Sequence, residues 1–126
     1  MTRTVLLIED NEQNRYLATF LLEKAGFAVT SAADGLRGIE MARESVPSII
    51  LLDIQLPRLN GYDVAQTLRA SPELSRVPIV AVTSYAMPGD REKALEAGCD
   101  GYIEKPIDPE TFVSQVERYL SGAGTP

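Results

Sequence analysis

The stretch Ser48-Ile49-Ile50-Leu51-Leu52-Asp53 decides the fold. Its apolar residues run on without polar alternation and stop at a carboxylate. A continuous run of this kind fits a strand buried on both faces, as in a parallel sheet covered by helices. Stability alone would favour an apolar or turn residue at the end of such a strand. Asp53 in that place points to function.

Reading outward, the run Ser48–Leu52 is the third of five strand-like segments. Val5–Ile8 is the first, Phe27–Ser31 a weaker alternating second, Val77–Val82 the fourth and Gly101–Ile103 a short fifth. Between them lie segments at helical spacing with recognisable ends. The first starts near Asn11, stops at Gly26 and carries Leu17, Phe20 and Leu21, with Lys24 at the solvent edge. The second opens at Asp34-Gly35, carries Leu36, Ile39 and Ala42, and ends before Pro47. The third opens at Asn60-Gly61, carries Val64, Ala65 and Leu68, and ends before Pro72. The fourth follows Pro88 and ends at Gly98. The last opens at Asp108-Pro109 and carries Phe112, Val113, Val116, Tyr119 and Leu120. This alternation predicts an α/β fold, a doubly wound (βα)5 sandwich with helices on both faces of a five-stranded parallel sheet. The order 2-1-3-4-5 opens a crevice beyond the C-terminal ends of the first and third strands.

Composition narrows the chemistry. The 126 residues carry a formal net charge of −6, which argues against a nucleic-acid-binding face. There is no histidine, so histidine-based triads and histidine metal ligands are excluded. The single Cys99 rules out an internal disulfide and a cysteine zinc site; it reads as a buried small residue. Met41 and Met87 read as packing. No apolar run is long enough to span a bilayer, and Met1-Thr2-Arg3-Thr4 leads straight into Val5 without a signal peptide. The expectation is a cytoplasmic, single-domain protein over 1–126, with its core at about 4–120 and a fraying tail at 121–126.

Four of the five strands end in groups that can handle a phosphoryl group and a hard cation. Glu9 and Asp10 follow the first, Asp53 the third, Thr83 and Ser84 the fourth, and Lys105-Pro106 the fifth. Glu9 or Asp10 alone would serve as a helix cap, and Lys105 alone as a surface lysine. Together they make a crevice with three carboxylates. Two unit charges about 4 Å apart repel by about 4 kcal/mol at an effective dielectric of about 20. The counter-charge is either Lys105 or a bound divalent ion. With oxygen ligands only, Mg²⁺ is the natural choice and Mn²⁺ a substitute. Asp10 and Asp53 are the candidate direct ligands, Glu9 would act through water, and a backbone carbonyl near Gln55 would complete the set.

At these spacings Glu9-Asp10, Asp53, Thr83 and Lys105-Pro106 resemble the receiver (CheY-like) domain of two-component response regulators, in its stand-alone, single-domain form. The turn Asp53-Ile54-Gln55-Leu56-Pro57-Arg58-Leu59-Asn60-Gly61 resembles that family's phosphoacceptor turn, and the likeness spans roughly Thr4 to Leu120. Val80–Met87 and Gly98–Ile103 also resemble single-domain cell-division receivers and the receivers of hybrid kinases.

The resemblance implies that Asp53 takes a phosphoryl group from a phosphohistidine on a sensor histidine kinase or a histidine phosphotransfer protein. Mg²⁺ and Lys105 then balance the product, around which about four negative charges gather. It implies that Thr83 donates its hydroxyl to the phosphoryl group, that Tyr102 turns inward with the moving loop, and that Lys105-Pro106 is a cis peptide. Gln55 and Tyr85 hold positions that tune hydrolysis, and a bulky Tyr85 could shield the phosphorus. The first helix would dock on the kinase through Asn11, Asn14, Arg15 and Ala18. A downstream protein target would read the fourth helix, fifth strand and fifth helix, roughly Met87–Ala97 and Asp100–Leu120. The protein would be no enzyme beyond its own phosphotransfer and slow self-dephosphorylation, and a monomer or weak dimer.

Three other readings compete. An aspartate-nucleophile phosphatase of the haloacid dehalogenase type would need a second acidic residue in a tighter motif and more chain. A flavodoxin-like flavin carrier shares the sheet order, but Glu9-Asp10-Asn11-Glu12 would repel its cofactor phosphate. A receiver-like adaptor that is never phosphorylated would have no use for the full Asp53, Thr83 and Lys105 set.

Overall fold

The computed structural model describes residues 3–56, 59–84 and 89–121. Five strands alternate with five helices: β1 (Thr4–Ile8), α1 (Glu12–Lys24), β2 (Ala28–Ala32), α2 (Gly35–Glu44), β3 (Ile49–Asp53), α3 (Gly61–Ala70), β4 (Ile79–Thr83), α4 (Asp90–Glu96), β5 (Gly101–Glu104) and α5 (Phe112–Ser121). A short 3-10 turn, Pro72–Leu74, follows α3. All strands pair in parallel in the order β2-β1-β3-β4-β5, as the sequence predicts. Among the described residues no helix is long and apolar enough to cross a membrane.

The strands divide the core in two by their period of two. Leu6, Ile8, Ile50, Leu52, Ile79 and Ala81 face one side, where they meet Ile39, Val64 and Leu68 of α2 and α3. Val5, Leu7, Ile49, Leu51, Val80 and Val82 face the other, where they meet Leu22, Phe112 and Val116 of α1 and α5. Every residue of β3 and β4 is buried, which is why Ser48–Leu52 and Val77–Val82 read as unbroken apolar runs. Strand boundaries shift by a residue or two from the sequence reading, and the shift carries Asp53 and Thr83 into the strands themselves.

Helix starts follow the predicted caps. Asn11, Asp34 and Asn60 each accept a backbone N–H from the first turn of α1, α2 and α3 through their side chains. Gly26 and Gly98 lie just past α1 and α4 with φ of +98° and +106°, a conformation that favours glycine. Asp108 makes the bonds of the predicted cap, but ahead of a turn and not of the helix itself. Its carbonyl accepts the N–H groups of Thr111 and Phe112, and its carboxylate that of Glu110. These bonds form a turn, and the α-helix itself begins only at Phe112. The start of the fourth helix at Pro88 falls outside the described residues, as do Met87 and positions 122–126 of the tail.

Three side chains depart from their predicted faces. Leu36 is 68% exposed and Phe20 51% exposed, whereas Ala18, expected on the outer face of α1, is 1% exposed. In α2 the buried stripe is Gly35, Gly38, Ile39 and Ala42. A Cβ on Gly38 would lie 2.4 Å from Ile8 Cδ1, so the helix sits directly on the sheet at its glycines, which rotates Leu36 to the flank. In α1 the buried residues are Ala18 and Leu22. Phe20 lies two residues from Ala18, about 200° around the helix, and faces away.

Candidate functional site

The parallel register brings the C-terminal ends of the strands level. Ile8 of β1 pairs with Leu52 of β3, Asp53 with Val82 of β4, and Thr83 with Glu104 of β5. The residues at or just past these ends therefore share one edge of the sheet, at the switch point where its order reverses.

Glu9, Asp10 and Asp53 each turn a carboxylate oxygen into this crevice, and the three oxygens lie within 4.8 Å of one another. Glu9 and Asp53 are each 3% exposed, while Asp10 stands at the mouth. Lys105 follows β5 and reaches back across the sheet edge. Its Nζ donates to Glu9 Oε1 at 2.5 Å and lies 3.3 Å from Asp53 Oδ2. The Lys105–Pro106 peptide is cis, as the resemblance implies. The cavity holds about 450 Å³ and is lined by these four residues together with Asn11, Gln55 and Ser84, among others.

Backbone groups fix the carboxylates. Gln55 N–H donates to Asp53 Oδ1 at 2.9 Å and Asn11 N–H to Glu9 Oε2 at 3.2 Å. The turn after Asp53 is held by Gly61, whose N–H donates to the carbonyl of Ile54. A Cβ there would lie 2.4 Å from Ile54 Cα and 2.9 Å from the carbonyl oxygen of Asp53. Only glycine lets α3 start so close to the phosphoacceptor-like turn.

One ammonium does not balance three carboxylates. Burial, and next a hydrogen bond and repulsion from Asp53, raise the Glu9 pKa to about 7, even though Lys105 pulls it down. The site thus has excess negative charge and oxygen donors only, and a hard divalent cation fits it.

Thr83 and Tyr102 do not line this cavity. Thr83, 2% exposed, borders a second cavity of about 550 Å³ beside Gln55, Ile54 and Tyr62. Tyr102 lies one strand further on in β5, half-buried against the core on the α2–α3 side. Its hydroxyl pKa is raised by burial and then by Glu104 and Asp90. Tyr85 lies outside the described residues. Cys99 is buried and Met41 packs against the core, as expected.

The sequence reading missed two contacts. Arg15, assigned only to a docking face, donates from Nη1 to the carbonyls of Glu9 at 2.8 Å and Asp10 at 3.0 Å, and so braces the acidic turn. Gln55 Oε1 accepts both the hydroxyl of Ser84 at 2.6 Å and its N–H at 3.3 Å. Carbonyl acceptors and amide reach leave no pattern in a sequence.

The response regulator receiver domain family matches residues 5–117. The chain belongs to that family. It is 41% identical over 123 residues to the polar-differentiation response regulator DivK of Brucella ovis, covering 98% of this chain and all of that one. The receiver domain of the sensor histidine kinase PA1611 of Pseudomonas aeruginosa superposes with a TM-score of 0.88 at 35% identity, covering 96% of this chain and 99% of that one. That structure carries a magnesium ion coordinated in its active-site cleft. The chemotaxis response regulator CheY4 of Vibrio cholerae superposes with a TM-score of 0.90 at 25% identity, over 94% of this chain and 99% of that one. The receiver fold thus accounts for the sheet order and for the acidic crevice, and response regulators are signalling proteins. The phosphatase, flavin-carrier and adaptor readings are not favoured.

Proposed function

We propose that this receiver accepts a phosphoryl group on Asp53 from a partner's phosphohistidine and answers by changing its protein contacts. The observation that carries this reading is Lys105, which touches Asp53 and Glu9 together. It leaves one Asp53 oxygen anchored to the Gln55 N–H and sets a positive charge beside the other.

In the transfer, an Asp53 carboxylate oxygen forms the new O–P bond as the N–P bond of the phosphohistidine breaks. The electron pair leaves with the imidazole, which takes up a proton. Around the product the charges are about −2 from the phosphoryl group, −1 from Asp10 and up to −1 from Glu9, whose pKa burial raises to about 7. Lys105 supplies +1 and is placed to meet a phosphoryl oxygen as its bonds to the carboxylates loosen. Asp10, Asp53 and the Gln55 carbonyl would hold Mg²⁺, or Mn²⁺ in its place, with Glu9 acting through water. The ion would supply the other +2 as a Lewis acid on phosphoryl oxygens. Thr83 adds a hydroxyl and Tyr102 follows its movement, while Gln55 and Tyr85 set the rate at which water removes the group. Positioning and electrostatics carry most of such a reaction.

This reading makes the protein a cytoplasmic signalling phosphoacceptor, not an enzyme acting on other substrates. It works as a single receiver domain and as a monomer or weak dimer. The donor, a sensor histidine kinase or a phosphotransfer protein, docks beside the acidic crevice at α1. Its exposed face there carries Tyr16 and Phe20, 75% and 51% exposed, in place of the buried Ala18. The output target reads α4, β5 and α5. With a net charge of −6, neither nucleic acid nor an anionic membrane is the partner.

The deciding experiment is labelling by acetyl phosphate. Incorporation should require Mg²⁺, stop at one phosphoryl per chain, and vanish in Asp53→Asn. Labelling that persists in that variant would move the acceptor elsewhere. Turnover of phosphate esters would revive the phosphatase reading, and no labelling at all the adaptor.

A further inference from the structure

Gln55 lines both the acidic cavity and the second cavity beside it. Its backbone N–H is bonded to Asp53, and its side chain crosses to Ser84, the residue after Thr83. A backbone N–H can only donate, so its approach to Gln55 Oε1 fixes which end of the amide faces Ser84. The Ser84 hydroxyl adds a second, shorter bond to the same oxygen. Both donors of Ser84 thus end on a neutral acceptor, at the rim of the cavity that holds Asp53.

We infer that this Gln55–Ser84 clasp holds the end of β4 in its unphosphorylated position, and that a phosphoryl group on Asp53 opens it by taking over the Ser84 donors. The inference rests on Asp53 being the phosphoacceptor. Its driving force is the acceptor's charge. Hydrogen bonds to an ionised acceptor are roughly twice as strong as those between neutral groups, so the Ser84 N–H and hydroxyl exchange a carbonyl oxygen for an anionic one. Ser84 then moves toward Asp53 and carries Thr83 with it. Whatever the clasp contributes in the free protein is subtracted from the affinity for the anion. Gln55 acts here as a positioning residue, through Ser84.

The test titrates beryllofluoride, a tetrahedral phosphoryl mimic, at saturating Mg²⁺ into the whole chain, read by 19F NMR. Four proteins are compared: the natural one, Gln55→Met, Ser84→Ala and the double variant. Gln55→Met keeps the length of the side chain and removes the acceptor. It should bind the anion about 2- to 10-fold more tightly, the range one neutral hydrogen bond sets. The gain should be smaller in the Ser84→Ala background, where much of the clasp is already lost. A contact that is only structural would lower the unfolding temperature of both single variants while their effects on anion affinity multiplied independently. Gln55→Met binding no more tightly, or an equal gain in both backgrounds, overturns the clasp and leaves the phosphoacceptor standing. If the natural chain takes no beryllofluoride even with Mg²⁺, the phosphoacceptor reading fails and the clasp fails with it.

Discussion

At the residue scale, the informative side chain is Lys105. It joins two buried carboxylates that would otherwise repel. Lys105→Met should slow acetyl phosphate labelling about 100-fold, the usual loss when one preorganised donor to developing charge is removed. The rate of phosphate incorporation measures this, and an unchanged rate would take Lys105 out of the mechanism. Cys99 offers a second test. Burial, with Asp100 adding to it, pushes its thiol up to about 12. A thiol-specific reagent at about pH 8 should therefore react only as fast as the protein opens. Alkaline stability follows with a defined sign. The unfolded thiol ionises first, near 9, while the folded one keeps its proton. Below that pH the two states bind the proton equally. Above it, stability falls by up to about 1.4 kcal/mol per pH unit until the folded thiol ionises near 12. Cys99→Ala should flatten that part of the denaturation profile, and an identical profile would show the thiol to be more accessible than its burial implies.

At the element scale, helix caps and glycines do what apolar spacing alone does not. Asn60 accepts the N–H of Tyr62 at 2.8 Å and starts α3 immediately after the Asp53 turn. Asn60→Ala should cost about 1 kcal/mol in a denaturant melt and loosen the turn as well. In α2, Gly38→Ala would drive a methyl group into Ile8 and should cost about 1–3 kcal/mol. Leu36→Glu on the exposed flank should change stability by no more than about 0.5 kcal/mol. The opposite ranking would mean that α2 packs on the sheet through Leu36 and not through its glycines. Leu36, Ile39 and Ala42 match helical spacing as well as Gly35, Gly38, Ile39 and Ala42 do. Spacing ranks side chains by hydrophobicity and so passes over a glycine stripe. Backbone proximity chose the glycines.

At the scale of the molecule, the sheet order determines the chemistry. Placing β1 beside β3 sets Glu9 and Asp10 against Asp53, and the crossover to β5 returns Lys105 to the same edge. A cation that binds only this folded arrangement must stabilise it by mass action. Mg²⁺ at about 100 times its dissociation constant should add about 2.7 kcal/mol, seen as a higher unfolding temperature. The increment should shrink in Asp10→Asn. An unfolding temperature indifferent to Mg²⁺ would remove the ion from the site.

The amino-acid sequence alone determined the alternation of strands and helices, the two-sided burial of β3 and β4, and the residues that end each strand. Those features are local: apolar continuity, cap chemistry and chain order leave direct marks in the residues themselves. The tertiary structure decided which face of α1 and α2 is buried, because close approach at Ala18 and Gly38 outweighs the hydrophobicity of Phe20 and Leu36. It also decided that Arg15 braces the carbonyls of Glu9 and Asp10 and that Gln55 reaches Ser84. Hydrogen bonds to a carbonyl, or from an amide across two loops, depend on distances set only when the strands align.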